Sequence, residues 1–187
     1  MKEISTDKSK LGLVHAYYGT GKGKTSVALG TAIRALGNNY KVHLVQFMKN
    51  GASSLDEQVP GEIKSLSKFP NFSFKRFGLG YWYVKGKNDE EHRSMANEAY
   101  NHLKSALSQN YDLIIADEIL YAVQLDLLSQ QQVIELIKNK PKEKELILTG
   151  SHVAFPNIFQ YVDLVTEIKK IKHPFDSGIL ARKGIEY

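Results

Sequence analysis

Tyr17-Tyr18-Gly19-Thr20-Gly21-Lys22-Gly23-Lys24-Thr25-Ser26 follows an apolar run, Leu11 to Tyr17, and opens an amphipathic one. Glycines without Cβ let consecutive backbone N–H groups turn inward as an anion nest, and a helix starting near Lys24 adds the positive end of its dipole. Lys24 contributes a mobile ammonium and Thr25 a hydroxyl suited to magnesium. The stretch therefore reads as a phosphate-binding loop. Five residues before Gly23 stands Tyr18, where the common pattern has glycine, so Gly19 and Gly21 supply the flexibility instead. A glycine turn that only links strand to helix is the plainer alternative. Gly-Lys-Thr placed between an apolar strand and a helical period is rarer, and it favours polyphosphate.

Outward from the loop, Leu29, Ala32, Ile33 and Leu36 recur at helical spacing from Lys24 to Leu36, and Gly37 is placed to stop that helix. Tyr40 to Phe47 reads as a second strand, which predicts a right-handed βαβ unit. Signals are mixed from Met48 to Pro70, with a short helix near Glu62 to Leu66, and Asn71 to Phe77 reads as a third strand. Asn88 or Asp89 is the predicted cap of a helix running to Ser108, with Met95, Ala99, Leu103 and Ala106 on its buried face. Tyr111 to Glu118 is a strand ending in carboxylates. Ser129 with Gln132 predicts a capping box, Glu145 to Thr149 a strand, Pro156 a helix start and Asp163 to Lys170 a last strand. The expected fold is α/β, with helices flanking a mainly parallel central sheet. One domain spans 1–187, with 1–10 as a flexible arm and 171–187 as an irregular tail.

Composition narrows the classes. A chain of 187 residues with 42% apolar content can bury a core unaided. The absence of cysteine excludes disulfides and thiolate metal sites and suits a reducing compartment. No run approaches the ~18 apolar residues of a membrane span and no secretory leader is evident, so the expected location is cytoplasmic, with no membrane partner. The net charge of +5 comes from lysines spread along the chain rather than gathered around stacking aromatics, so no nucleic-acid partner is expected.

Three further groups could carry chemistry. Asp117 and Glu118 end an apolar strand at the sheet edge where ligands of open α/β folds bind, and fit the acid that holds magnesium; a helix start that favours acids is the alternative. Gln46 and Lys49 flank the end of the second strand on that same edge. Tyr81, Trp82 and Tyr83 follow Gly78-Leu79-Gly80. Three consecutive aromatics cannot all face one core, so at least one is free for a flat ligand or a partner. The six histidines lack metal-ligand spacing, and His173 is the one to test.

With these stretches in hand, the sequence resembles the P-loop class of ATP:corrinoid adenosyltransferases. Gly19 to Thr25 is similar to that family's GNGKGKT loop. Gly30-Thr31-Ala32-Ile33-Arg34-Ala35-Leu36-Gly37, Gln46-Phe47-Met48-Lys49, Asp117-Glu118-Ile119 and Leu148-Thr149-Gly150 follow in order. The ending Lys172-His173-Pro174-Phe175 through Gly178 to Lys183-Gly184-Ile185-Glu186-Tyr187 is the most distinctive. The resemblance implies a recombinase-like, three-layer P-loop NTPase fold. It also implies transfer of the 5′-deoxyadenosyl group of ATP to Co(I) of a corrinoid, with release of triphosphate.

On that resemblance Gly19, Thr20, Gly21, Lys22, Gly23, Lys24, Thr25, Ser26 and Arg34 bind ATP, and Lys24, Thr25 and Glu118 are catalytic. Thr25, Asp117 and Glu118 hold Mg2+, and Tyr81, Trp82, Tyr83, Gln46, Lys49 and His173 meet the corrinoid. It further implies a homodimer and a flavodoxin-like or flavin reductant. Four positions depart from the family pattern: Tyr81, Trp82 and Tyr83 stand where Phe, Thr and Trp are usual, and Ser151 stands where Arg usually follows Thr-Gly. The alternatives are a generic P-loop ATPase or kinase cleaving at the γ-phosphate, and a non-catalytic ATP- or corrinoid-binding module.

Overall fold

Among the described residues the apolar runs become six strands: β1 (Val14–Tyr18), β2 (Val42–Gln46), β3 (Phe72–Arg76), β4 (Leu113–Asp117), β5 (Glu145–Thr149) and β6 (Leu164–Glu167). All pair in parallel, in the order β3-β2-β4-β5-β1-β6. This computed structural model describes residues 8–49, 59–81 and 83–186. Every residue of β2 and β4 is buried, which explains why those strands read as near-continuous apolar runs instead of alternating.

Helices cover both faces, giving the expected three layers. Ala28, Leu29, Ala32 and Leu36 of α1 (Lys24–Gly37) and Ile63 and Leu66 of α2 (Gly61–Leu66) pack on Leu44, Ile115 and Ile147 of the sheet. The opposite face takes α3 (Asp89–Leu107), α4 (Ile119–Gln124), α5 (Gln130–Lys138) and α6 (Pro156–Phe159), with Val45, Ile114, Leu146 and Leu148 beneath them. Truncating a central leucine or isoleucine such as Ile115, fully buried, to Ala would cost about 2–5 kcal/mol.

Several local expectations change. Gly37 is the last residue of α1 and the chain turns at Asn38 and Asn39, where Asn39 adopts φ +61°. Ile33 is 55% exposed rather than part of the buried stripe, because α1 sits at a sheet face that the residues on its flanks already fill. β1 and β2 are not neighbours: β4 and β5 lie between them, so the predicted βαβ unit is a wide crossover. Asn88 makes no cap bond to α3; its Oδ1 accepts from Val84 N–H, and Asp89 Oδ1 accepts from Gly86 N–H. The capping box of Ser129 and Gln132 is present as predicted. The end of the expected loose arm is pinned, since Lys8 to Lys10 form a 3-10 turn and Lys8 Nζ donates to Asp112 Oδ1 at 2.8 Å. α4, absent from the sequence reading, begins directly after the carboxylates of β4.

Candidate active site

A parallel sheet brings every strand's carboxyl end to one edge, and there β1 passes into the phosphate loop. The ladder between β1 and β5 continues past both strands: Gly150 N–H donates to Tyr17 O at 3.2 Å and Gly19 N–H to Ser151 O at 3.0 Å, while Gly21 N–H donates to Ile168 O at 2.7 Å. Gly19 has φ +113°, and a Cβ there would lie 2.4 Å from the Ile168 carbonyl oxygen. Tyr18 stands in the usual glycine position without strain because it is still strand, its ring tilted against Phe159 at 5.0 Å.

The other loop amides are unspent. Among the described residues no backbone acceptor takes the N–H groups of Thr20, Lys22, Gly23, Lys24 or Thr25. Gly23 precedes α1 without a side-chain cap, and the first turn of α1 holds no acid. Open donors at the positive end of a helix are what an anion requires. Lys24 Nζ is folded into the loop, donating to Gly19 O at 2.7 Å and Gly21 O at 3.0 Å. Burial lowers its pKa, against the opposing pull of Glu118 and Asp117.

Asp117, fully buried at the end of β4, is held by its neighbours. Its Oδ1 accepts from Thr25 Oγ1 at 2.8 Å and Thr149 Oγ1 at 2.7 Å, and its Oδ2 from Gln46 Nε2 at 3.0 Å. Thr25 gives its proton to Asp117 and so keeps its lone pairs for a cation. The carboxylate left open is that of Glu118, which caps α4 in a left-handed conformation, φ +65°. Its amide is held by Thr149 Oγ1 at 3.0 Å, and Lys49 Nζ stands 3.8 Å from Oε1. Burial and then Asp117 raise the pKa of Glu118, while Lys49 and Lys24 restrain the rise. Met48, Glu118 and Ser151, three of the non-glycine residues with positive φ, all follow strand ends on this edge.

The structure thus brings Gly19, Gly21, Gly23, Lys24, Thr25, Asp117, Glu118, Gln46 and Lys49 together. Gln46, 2% exposed, lies beneath the edge bracing Asp117 rather than open to a large ligand. Thr20 Oγ1 accepts from Lys170 N–H at 3.4 Å, Lys22 Nζ lies 3.7 Å from Glu186 Oε1, and Ser26 is exposed on the first turn of α1. Arg34 is exposed ten residues along α1, about 15 Å from the loop at helical rise, and is not brought to it. His173 caps a 3-10 turn, its Nδ1 accepting from Phe175 N–H at 3.2 Å. Thr149 completes the site, though sequence reading does not single it out as a site residue; only strand order reveals that its hydroxyl meets Asp117.

The aromatic segment leaves β3 at this same edge and is clasped to the first turn of α3. Tyr81 hydroxyl donates to Glu91, and the rings of Tyr81 and Tyr83 stand edge-on to His92 at 5.6 and 5.5 Å. Tyr81 is 51% exposed and Tyr83 half-buried, so flat aromatic surface faces outward. Trp82 lies outside the described residues.

The sequence pattern of ATP:corrinoid adenosyltransferase BtuR/CobO/CobP matches residues 10–187. The chain belongs to that family. This adenosyltransferase is 30% identical to the corrinoid adenosyltransferase of Escherichia coli K12, over 98% of this chain and 90% of that protein. It is 32% identical to that of Pseudomonas aeruginosa, over 100% and 89%. The cytoplasmic domain of EssC shares the fold alone: TM-score 0.51 and 12% identity over 92% of the adenosyltransferase and 34% of the EssC chain. The enzyme is a transferase acting on ATP and a corrinoid. No helix among the described residues is long and apolar enough to cross a membrane.

Proposed function

We propose that the enzyme moves the 5′-deoxyadenosyl group of ATP to Co(I) of a bound corrinoid in one displacement at C5′. The cobalt–C5′ bond forms with the electron pair of Co(I), and the C5′–O5′ bond breaks with its pair leaving on triphosphate. Co(I) needs no general base, so the protein's work is alignment and stabilisation of the leaving charge. The observation that carries this reading is the open donor set of the loop beside Lys24. Loop amides and Lys24 hold the triphosphate, and Lys49, 3.8 Å from Glu118 Oε1, adds a second cation on this edge.

The donor set also fits magnesium, a hard cation that takes few protein oxygens and keeps water and phosphate. Thr25 Oγ1 and Glu118 would hold it, while Asp117 acts through Thr25 as the acceptor of its proton. Bound there, the cation would neutralise charge on the phosphate oxygens.

Tyr81 and Tyr83 supply the flat surface for the corrin, crowding its lower face and excluding a lower axial ligand, so that cobalt is easier to reduce. The working enzyme in this reading is a cytoplasmic homodimer served by a flavodoxin-like or flavin reductant. Anaerobic incubation with ATP, magnesium and chemically reduced corrinoid should yield triphosphate and the adenosylated corrinoid in equal amounts. Phosphate or ADP as the product would replace this reading with γ-phosphate cleavage. Replacing Tyr81 and Tyr83 with Ala should spare transfer to preformed Co(I) and abolish activity that starts from Co(II). A five-coordinate Co(II) spectrum in the ATP-bound wild type would refute the role given to the tyrosines.

A further inference from the structure

We infer that Ser151 is a positioning residue that sets the phosphate loop through a left-handed elbow at the tip of β5, an inference that rests on the loop's reading as the triphosphate site. Gly150 and Ser151 carry positive φ in succession, +109° and +64°. The first touches one half of the site: a Cβ on Gly150 would lie 3.0 Å from both Cα and Oε2 of Glu118 and 2.8 Å from Tyr121 N. The second touches the other half, because Ser151 O receives Gly19 N–H at 3.0 Å. The elbow thus lies between Glu118 and the first turn of the phosphate loop, in close approach to the one and hydrogen-bonded to the other.

A serine resists this conformation, and the structure shows what holds it there. Ser151 is 1% exposed, and its hydroxyl is enclosed by Val153 O at 2.6 Å, Val153 N at 3.0 Å and Gln124 Oε1 at 3.2 Å. The same Gln124 oxygen accepts His152 N–H at 2.6 Å. The hydroxyl thus donates to one oxygen and accepts from Val153 N–H, tying the elbow to itself and to α4. The left-handed region costs a non-glycine residue what these bonds return. The side chain holds the backbone, and the backbone carbonyl holds Gly19.

Ser151→Ala and Ser151→Gly separate this from simple packing. Both lose the hydroxyl, but only glycine keeps the left-handed conformation without strain. In the Ala variant the elbow relaxes and triphosphate must restore it, so calorimetry with inorganic triphosphate and magnesium should show affinity weakened about five- to thirty-fold, while Ser151→Gly stays within a few-fold of wild type. KM for ATP should follow this order with kcat changed less, and the Gly19 amide should exchange faster with solvent in Ser151→Ala than in wild type or Ser151→Gly. Equal affinities in all three proteins, or equal losses in both variants, would overturn the inference and leave the loop assignment standing. Failure of wild type to bind triphosphate would overturn both. Thermal unfolding run alongside identifies a purely structural role, which would lower Tm in both variants and move neither affinity nor exchange.

Discussion

Replacing Asp117 tests how the site holds Thr25. The carboxylate is fully buried and accepts three hydrogen bonds, two at Oδ1 from Thr25 and Thr149 and one at Oδ2 from Gln46. In Asp117→Asn the carbonyl can keep the Oδ1 position and its two hydroxyl donors. The new amide then faces Gln46 Nε2, donor against donor. Gln46 resolves this by turning its amide over, because its Oε1 now has no partner and becomes the acceptor. The count of bonds survives and the charge does not, so the loss is the difference between charged and neutral hydrogen bonds, about 2 kcal/mol over three. That corresponds to a fall in Tm of about 4–8 °C for a chain of this size. Asp117→Ala leaves three donors unpaired at about 1–3 kcal/mol each, roughly 5 kcal/mol or more in all and close to the whole stability of a domain. Urea unfolding of both variants at pH 7 measures the two losses, with magnesium-triphosphate calorimetry on the Asn variant expected to show about a tenfold loss of affinity as negative charge leaves the cation's neighbourhood. Equal destabilisation by Asn and Ala would refute the exchange of roles with Gln46. Wild-type affinity in Asp117→Asn would remove Asp117 from the cation site altogether.

Glu118→Gln should raise Tm at neutral pH, because burial penalises the ionised form, with the gain vanishing below the carboxylate range; magnesium-dependent turnover should fall in the same protein. Lys49→Met removes a charge that favours ionised Glu118, so the acidic limb of the pH–rate profile should move to higher pH, and an unmoved limb would separate the two residues. Burial, then His102 and Lys75, hold His43 down to about 4, so the unfolded chain takes up its proton first: stability present above about pH 6.5 is lost as pH falls toward 4. Between pH 7 and pH 5 this amounts to about 2 kcal/mol in urea unfolding, and His43→Phe should flatten the slope. Glu186, whose carboxylate Arg182 hydrogen-bonds and holds down to about 2, also stands 3.7 Å from Lys22 Nζ of the loop. Glu186→Gln should tighten magnesium-triphosphate binding by less than about five-fold, the scale of one exposed ion pair, and weaker binding would show that the contact supports the site.

What could be read from residues alone was whatever local chemistry and period determine. The glycine-rich loop with its lysine and threonine, the capping box at Ser129 and the apolar strand ending in Asp117 and Glu118 are each written within about ten residues, and the elements that carry them stand where the sequence puts them. Tertiary structure decided which of those groups do which work. Asp117 and Glu118 are adjacent in sequence and equal in chemistry, yet one is sealed under Thr25, Thr149 and Gln46 and the other is turned outward by a left-handed backbone at the start of α4. That division depends on β5 and β2 flanking β4, which no period along the chain encodes. Gln46 and Thr149 likewise reach Asp117 from 71 and 32 positions away, Ser151 reaches Gly19 from 132, and Ile33 lost its predicted burial to the same packing. Local sequence specifies which chemical groups a chain offers; the burial and hydrogen bonding that assign each group its task arise only when distant strands meet.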